Sequence, residues 1–287
     1  MNADALISTL IDLHRALGRP DFKLILGGGF GLYLKQLERQ RRSDVRTLLP
    51  GDLWPYPRAT EDLDLFLPTE VVISLAHMQA LRAALDSLGF TPVANAKFLH
   101  FVKPWGKDGR VKIDMLTGPL PPGVSSDRIK YTPPRIRPRG DLELHAYLTA
   151  EALDFEHALS PRSIEGMGSD GKKVAITVHI PQAFTFILMK LHAFADRVED
   201  VDADLGRHHA LDVYRIVAML TEQEYRDVRR SVEKHASASS ILRARTIIWR
   251  YFSKADQLGI LRLREHQLFN PRMNVSQLVA SLTDLFR

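Results

Sequence analysis

Three aspartates occupy positions at which their carboxylates could work together. In residues 62–67 polar and apolar side chains alternate, and on a strand this pattern puts Asp62 and Asp64 on one face. Two neighbouring carboxylates repel each other unless they share a proton or a cation, and Mg²⁺ or Mn²⁺ favours such oxygen ligands. Asp114, which alternates with apolar residues in a second segment, could bridge the metal or accept a proton from an attacking hydroxyl. An Asp-x-Asp pair alone also decorates many solvated strands, so the pattern needs support from other residues.

A glycine-rich turn precedes these aspartates. Residues 24–26 form an apolar run typical of a buried strand, residues 27–29 are glycines, and residues 30–40 have helical periodicity. Gly28 and Gly29 are therefore predicted to present backbone N–H groups and a helix N-terminus, both of which favour an anionic phosphate. The spacing matches neither the dinucleotide-binding nor the P-loop pattern, and close helix-to-sheet packing is the alternative explanation of the glycines.

The remaining patterns predict an α+β fold with a mixed β-sheet, flanking helices and an all-α C-terminal domain. Strands are expected at residues 24–26, 62–67, 97–103, 110–117, 142–147 and 174–180, and helices at 1–17, 30–40 and 71–88. Residues 41–59 contain several prolines without a clear period and are interpreted as a long loop. Further helices are expected at residues 182–197, 207–220, 222–235, 239–255 and 275–286. A boundary near residue 180 thus divides a catalytic domain, 1–180, from a helical domain, 181–287, that completes the site.

Composition excludes several classes of protein. The 287 residues are 45% hydrophobic, enough for a sizeable core, and the lack of cysteine excludes disulfide frameworks, thiolate zinc sites and cysteine nucleophiles. No signal peptide and no apolar run of roughly 20 residues is visible, so a cytoplasmic protein without a membrane partner is expected. The net charge of +5 is concentrated in two segments, which are either solvated loops or phosphate-binding surfaces. Their basic residues are Arg39, Arg41, Arg42 and Arg46, and Arg128, Lys130, Arg135, Arg137 and Arg139.

Four short motifs occur in the order known from one enzyme superfamily. They are residues 28–32 (GGFGL) with 58–64 (RATEDLD), residues 112–114 (KID), residues 190–197 (KLHAFADR) and residues 212–216 (DVYRI). In this order they resemble the nucleotidyltransferase superfamily, specifically its AbiEii/MenT-like toxin family of type IV toxin–antitoxin systems. Each motif is short and unspecific alone, and it is their order, with a sheet followed by helices, that carries the resemblance.

The resemblance implies a function and a role for each matched residue. Such toxins act in toxin–antitoxin or phage-defence systems, transfer a nucleotide from an NTP to RNA, characteristically the tRNA 3′ end, and have a cognate antitoxin encoded by an adjacent gene. The implied catalytic residues are Asp62, Asp64, Asp114, Lys190 and Asp212, of which the first three are the metal ligands. The implied NTP-binding residues are Gly28, Gly29, Thr60, Lys190 and Arg197.

Some of these side chains also have structural interpretations. Lys190 and Asp212 each lie in an apolar helix, where a helix-to-helix ion pair would satisfy both. Arg197 is seven residues from Lys190 and on the same helical face, so both cations could instead meet a triphosphate. Thr60 precedes Asp62 in the same alternation, and its β-propensity alone explains it. A phosphate added to Thr60 by an antitoxin would repel metal or nucleotide from the aspartates.

Two departures from the family pattern leave the acceptor open. The segment at residues 41–59 is longer than in many relatives, and His208 and His209 stand where relatives often carry lysine and aspartate. The same fold could modify a small hydroxylated molecule or a protein side chain. A non-catalytic module that binds RNA or another partner is the third possibility.

Overall fold

The chain forms two units, each built from two separate segments. The structure is a computed structural model and describes residues 3–19, 22–42, 44–58, 60, 62–96, 98–107, 109–124 and 126–287. Unit 1 comprises Met1–Tyr33 and Arg58–Pro181, and unit 2 comprises Leu34–Pro57 and Gln182–Arg287. The segment Leu34–Pro57, which the sequence analysis assigns to the first domain, thus belongs with the C-terminal helices. Ala59 and Glu61 of the matched motif, and Lys97 at the start of a predicted strand, lie outside the described residues.

Unit 1 is built on a mixed sheet, as the sequence predicts. Within the described ranges the strands are β1 (Ile25–Leu26), β2 (Asp62–Phe66), β3 (Thr91–Pro92), β4 (His100–Trp105), β5 (Gly109–Thr117), β6 (Ile129–Thr132), β7 (Arg135–Pro138), β8 (Ala146–Leu148), β9 (Ser160–Met167) and β10 (Lys173–Ile180). Their order across the sheet is β6-β7-β8-β5-β2-β1-β10-β9, with β4 on β5 and β3 on β4. The pairs β2–β5, β5–β8 and β1–β10 are parallel and the others are antiparallel.

Alternation along the strands gives this sheet two different faces. β2 and β5 pair so that Leu63 lies opposite Ile113, and both side chains are buried. The same register puts Asp64 opposite Asp114 on the other side, because successive side chains on a strand point to opposite faces. We call these sides the core face and the carboxylate face. Asp62 lies on the carboxylate face too, as the alternation predicts.

Helices of unit 1 cover the core face. They are α1 (Ala3–Leu17), α3 (Thr69–Val72) and α4 (Leu75–Ser87), whereas α2 (Gly28–Arg41) begins on the carboxylate face, against Asp64. α1 packs on β9, β10 and α4, and a side chain at Gly166 would collide with Ile7 of that helix. Gly166 thus lets the helix approach the strand closely. Burial of Leu6, Leu10 and Ile11 adds apolar surface to the same core.

Unit 2 is all-α, as the sequence predicts. Its helices are α5 (Ala183–Arg197), α6 (Arg207–Ala218), α7 (Glu222–Lys234), α8 (Ser239–Tyr251), α9 (Leu258–Glu265), α10 (Val275–Leu285) and the last part of α2. α5 is buried over most of its length and packs against α6, α7 and α8. The segment Leu34–Pro57 joins this unit through backbone hydrogen bonds, including Leu48 N–H to the Leu220 carbonyl at 2.7 Å. None of the described helices combines the length and apolar character needed to cross a bilayer.

Two predicted elements are wrong in detail. The helix expected at residues 71–88 is divided into α3 and α4, because the Ser74 hydroxyl accepts a hydrogen bond from the His77 N–H and so caps a new helix. The strand expected at residues 142–147 is shorter, since strand pairing begins only at Ala146. Leu142 and Leu144 are buried in alternation without being part of a described strand, a pattern that any extended segment on a core can show.

Other elements were not expected from the pattern. The basic, proline-rich segment contains the β6–β7 hairpin, and β9 and α9 are also additional. α2 is assigned from Gly28, two residues before the predicted start, although Gly28 itself has the φ of +55° that is typical of a turn. The 3-10 helices at Gly51–Leu53, Ala94–Ala96, Ser126–Arg128 and Asp204–Gly206 complete the description.

Candidate active site

The predicted carboxylates lie on two neighbouring strands of unit 1. Asp64 on β2 faces Asp114 on β5 across a parallel pair, and Asp62 faces Lys112 in the same register. Leu63 and Leu65, which alternate with these aspartates, are buried and anchor β2 in the core. This holds the polar side chains on the carboxylate face. The structure therefore brings Asp62, Asp64 and Asp114 onto adjacent positions of one surface.

Asp114 has two cationic or titratable neighbours. Lys112 Nζ donates to Asp114 Oδ2 at 2.9 Å, and His100 Nδ1 on β4 contacts Asp114 Oδ1. Lys112 Nζ is also 3.9 Å from Asp62 Oδ2. Burial acts to raise the pKa of Asp114, but the hydrogen bonds from His100 and Lys112 outweigh it and hold this pKa below its usual range. Asp114 is therefore an ionised carboxylate at neutral pH.

The glycine turn lies directly against the aspartate strand. Gly28 has a φ of +55°, and a Cβ atom at this position would overlap the carboxylate of Asp64. Gly29 is equally close to the methyl group of Thr60, and Gly27 donates its N–H to the Asp64 carbonyl at 2.9 Å. Only glycine combines this backbone conformation with this approach. The N-terminus of α2 and the Asp64 carboxylate are thus placed side by side.

Thr60 precedes the strand and is bonded to it. Its Oγ1 donates to the Asp62 carbonyl at 3.2 Å, and its methyl group faces Gly29. Thr60 therefore contacts both the glycine turn and the start of the aspartate strand, and its role in NTP binding stays a prediction. Phosphorylation at this position stays a prediction.

The carboxylates fit a hard divalent cation in donor chemistry. Asp62 and Asp64 could supply oxygen ligands, and the Gly28 backbone lies directly against the Asp64 carboxylate. Within the described part of the chain, however, no three histidine, aspartate or glutamate side chains are grouped closely enough to hold a metal ion. Asp114 instead has Lys112 and His100 on its two oxygens. A metal ligand set that includes Asp114 stays a prediction.

Lys190 and Asp212 form a buried ion pair in unit 2. Lys190 Nζ lies 2.7 Å from Asp212 Oδ2, and Arg215 donates to Asp212 Oδ1 at 2.9 Å. Arg215 Nε and Nη2 also donate to Oε1 of Gln36, at 2.9 and 2.7 Å. A pairing of this kind is the structural interpretation that the sequence left open for Lys190 and Asp212. Their implied roles in catalysis stay predictions.

Arg197 lies at the exposed end of α5. Its Nη1 contacts His209 Nε2 at 3.2 Å and the Ala193 carbonyl at 3.5 Å. The neighbouring His208 contacts His266 at 2.8 Å. Arg197 and Lys190 belong to unit 2, whereas the aspartates and the glycine turn belong to unit 1. Phosphate binding by Arg197 stays a prediction.

Sequence reasoning missed two residues that contact these charged groups, His100 beside Asp114 and Gln36 beside Arg215. His100 has no motif around it, and only the β4–β5 register places it opposite Asp114. Gln36 lies in a helix of mixed polarity, yet its side chain is fully buried against Arg215. A fully buried charged residue needs such a partner, so Arg215 in its apolar helix was the available signal.

Comparison with known proteins adds little to this geometry. No protein-family model and no curated protein matches the chain. A search of solved structures finds the solution structure of the antibiotic-resistance factor ANT(2'')-Ia, at 16% identity and a TM-score of 0.35 over 82% of this chain and 98% of that chain. At a TM-score this low the likeness supports no conclusion about this chain. The resemblance of the four motifs to the AbiEii/MenT-like family therefore stays a prediction.

Proposed function

We propose that this chain is a nucleotidyltransferase that transfers a nucleotide from an NTP to a hydroxyl acceptor. One observation carries the proposal: the Gly28 backbone lies against the carboxylate of Asp64, and Asp64 faces Asp114 across the β2–β5 pair. This arrangement puts a helix N-terminus, which favours phosphate, beside carboxylates, which favour a divalent cation.

The proposed reaction is an in-line displacement at phosphorus. An acceptor hydroxyl oxygen forms a bond to the α-phosphorus, and the bond from the α-phosphorus to the oxygen that bridges to the β-phosphate breaks. Pyrophosphate leaves with the electrons of that bond. Asp114, an ionised carboxylate whose pKa the hydrogen bonds from His100 and Lys112 lower further, accepts the hydroxyl proton as the new bond forms. The N–H groups of the first turn of α2 bind the phosphate oxygens.

A divalent cation, Mg²⁺ or Mn²⁺, is part of the proposal. Asp62 and Asp64 are the side chains that would hold it, and when bound it would neutralise phosphate charge during the displacement. Thr60 keeps its position between the glycine turn and these aspartates through its bond to the Asp62 carbonyl. The chain's own contribution is thus to orient the triphosphate and to receive the proton.

RNA is the proposed acceptor, with the tRNA 3′ end as the specific candidate. Support comes from the order of the sequence motifs and from the basic segment between Arg128 and Arg139, which suits a polyanion. The corresponding cellular role is that of a toxin in a toxin–antitoxin or phage-defence pair, whose antitoxin comes from an adjacent gene.

A transfer assay with pooled acceptors tests the reaction and the acceptor together. The protein is incubated with each NTP, labelled at the α-phosphate, and with total tRNA, an aminoglycoside mixture or a protein extract. We expect label in the tRNA pool. Label in the aminoglycoside or protein pool instead would show that RNA is not the acceptor, whereas the proposed transfer reaction would still hold.

The variant Asp64→Asn tests the chemistry itself. We expect its transfer rate to fall by on the order of 10³-fold, corresponding to several kcal/mol of lost transition-state stabilisation. Asp86→Asn, which removes a half-exposed carboxylate from α4, is the matched control and should retain full activity. Equal activity of a folded Asp64→Asn protein and its control would overturn the proposed function.

A further inference from the structure

The basic segment of unit 1 is part of the carboxylate face. On the sheet, β5 is followed by β8, β7 and then β6 at the edge. Across these strands Leu116 pairs with Tyr147, Tyr147 pairs with Arg135, and Arg135 pairs with Thr132. Leu116 is two residues from Asp114 on β5 and hence on the same face. Each of these partners therefore lies on the carboxylate face.

Cations and an aromatic ring make up this part of the face. Lys130 lies directly opposite Arg137 on the β6–β7 hairpin, and Arg135 lies beside Tyr147. The Tyr147 side chain is 41% exposed although it is bracketed by strands. On β7 and β8 the opposite side is apolar and buried, at Ile136 and Ala146. We call Lys130, Arg135, Arg137 and Tyr147 the basic strip.

The electrostatic field of the strip is positive. Between Arg128 and Arg139 the chain has five basic residues and no acidic one. Burial lowers the pKa of nearby His145 to about 4, and the charges of Arg137, Arg135 and Lys130 act in the same direction. These three cations therefore lie close enough to one another for their fields to add.

We propose that the basic strip binds a single-stranded nucleic acid and leads its terminal hydroxyl toward Asp64 and Asp114. The cations suit successive phosphates, and the exposed ring of Tyr147 offers a face on which an unpaired base stacks. Neighbouring strands are roughly 4.8 Å apart and residues on a strand about 3.3 Å, so the backbones of Arg135 and Asp114, two strands and two residues apart, are separated by about 12 Å. The placement of the hydroxyl rests on the proposed function, whereas binding to the strip does not.

Single-stranded nucleic acid is favoured over an acidic protein because of the sheet geometry. The strip has one cross-strand pair of cations, Lys130 with Arg137, and a third cation, Arg135, beside Tyr147, so positive charges follow one another along the surface as phosphates do along a strand. The aromatic ring of Tyr147 lies on β8, between these cations and the carboxylates. A duplex keeps its bases stacked on one another, so it would leave Tyr147 without a partner.

Fluorescence anisotropy with a labelled single-stranded oligonucleotide tests this surface. Binding is measured against salt concentration in the absence of NTP, with RNA, DNA and duplex arms of equal length. The double variant Lys130→Ser with Arg135→Ser should reduce the slope of log Kd against log salt by about 1.4, because each lost phosphate contact contributes about 0.7. The double variant Lys172→Ser with Lys173→Ser removes the same charge at the opposite edge of the sheet and should leave the slope unchanged.

A pair of tyrosines separates stacking from charge. Tyr147→Ala should weaken binding about tenfold at fixed salt without changing the slope, a typical loss for one stacked base. Tyr131, 51% exposed and on the other side of the hairpin, is the matched control, and Tyr131→Ala should bind normally. Circular dichroism checks that each variant is folded.

The outcomes distinguish this inference from the proposed function. Preferential binding of single-stranded RNA or DNA that is weakened in the variants of the basic strip supports the inference. The tighter binder of the two shows whether the surface prefers ribose or deoxyribose. The inference would be overturned if the duplex bound as tightly as the single strands, or if the variants of the basic strip bound like their controls. Competition at the basic strip by an acidic peptide, but not by RNA, would also overturn it. If the single-stranded oligonucleotide binds to the basic strip but neither the natural protein nor Asp64→Asn transfers a nucleotide, only the proposed function is refuted.

Discussion

Gly28 meets two separate requirements, and each can be measured. Its φ of +55° disfavours any side chain, and a Cβ atom there would also overlap Asp64. Gly28→Ala is therefore expected to lower the free energy of unfolding by about 2–5 kcal/mol, from backbone strain and from overpacking together. Gly89 has a φ of +78°, but a Cβ atom there would meet no other atom within 4 Å, so Gly89→Ala should cost only about 1–2 kcal/mol.

Urea unfolding of both glycine variants gives the comparison. The difference in unfolding free energy between them is the cost of approaching Asp64, since both carry the strain of positive φ. Equal losses in the two variants would show that Asp64 moves away without resistance. In that case the close approach of Gly28 would not fix the carboxylate.

His145 predicts a pH dependence. Its pKa of about 4 lies below the 6.5 of an ordinary histidine, so the unfolded chain takes up a proton first as the pH falls. His145 therefore contributes a loss of stability as the pH falls from about 6.5 to about 4. NMR titration should show its ring neutral down to that lower value, and Lys130→Ser with Arg135→Ser should raise the midpoint. A midpoint near 6.5 in the unmodified protein would contradict the environment described.

Sequence patterns locate the carboxylates better than they locate their neighbours. Alternation alone puts Asp62 with Asp64, and Lys112 with Asp114, because strand periodicity is a local property. His100 depends on the register between β4 and β5, which alternation does not determine. The lowered pKa of Asp114 follows from both neighbours, so it could not be read from the motif.

At the scale of elements, α7 is tied to the segment Leu34–Pro57 by one carboxylate. Thr221 and Glu224 form a capping box at the start of α7. Glu224 also contacts Lys35, whose side chain is 3% exposed, and lies 3.0 Å from Arg39. Burial acts to raise the pKa of Glu224, but the charge and hydrogen bond of Lys35, the Thr221 N–H and the charge of Arg39 together outweigh it and hold that pKa below its usual 4.5. Glu224 is therefore an anion that neutralises a buried cation.

Glu224→Gln should cost more stability than loss of the cap. The amide still accepts a hydrogen bond, but the buried Lys35 loses the negative charge of the carboxylate that it contacts, which costs about 3 kcal/mol. Thr221→Ala, which removes only the capping hydroxyl, should cost about 1 kcal/mol. Because the folded pKa of Glu224 is lowered, its contribution is present above pH 4.5 and is lost as the pH falls through the folded value. Thermal unfolding at neutral and acidic pH checks this, and similar losses in both variants would contradict it.

Long periodic elements were predicted well, and short or proline-containing ones were not. α5 and β5 have a clear period, and their bounds agree with the prediction to within one residue at each end. The sequence predicts no strand at the β6–β7 hairpin, because prolines disfavour strands, although Pro133, Pro134 and Pro138 lie at its turn and its end. β9 is largely polar and is held in the sheet by backbone pairing with β10 along its whole length. The alternation of polar and apolar residues does not indicate this pairing.

At the scale of the whole molecule, unit 2 requires a segment that is distant in the chain. Arg215 is fully buried and donates two hydrogen bonds to Gln36, and Tyr214 donates to the Leu53 carbonyl at 3.0 Å. A fragment of residues 182–287 would lack these acceptors, so we expect it to unfold without cooperativity. Addition of a peptide covering residues 34–57 should restore a cooperative transition by circular dichroism. A cooperative melt of the fragment alone would contradict this.

The interleaved segments of unit 2 also constrain how its gene can be recombined. A single crossover near codon 181 between two diverged versions would combine Arg215 from one parent with the Gln36 position from the other, and the buried donors could lose their acceptor. Functional chimaeras should therefore arise as double exchanges, in which the codons for residues 34–57 and 182–287 come from the same parent.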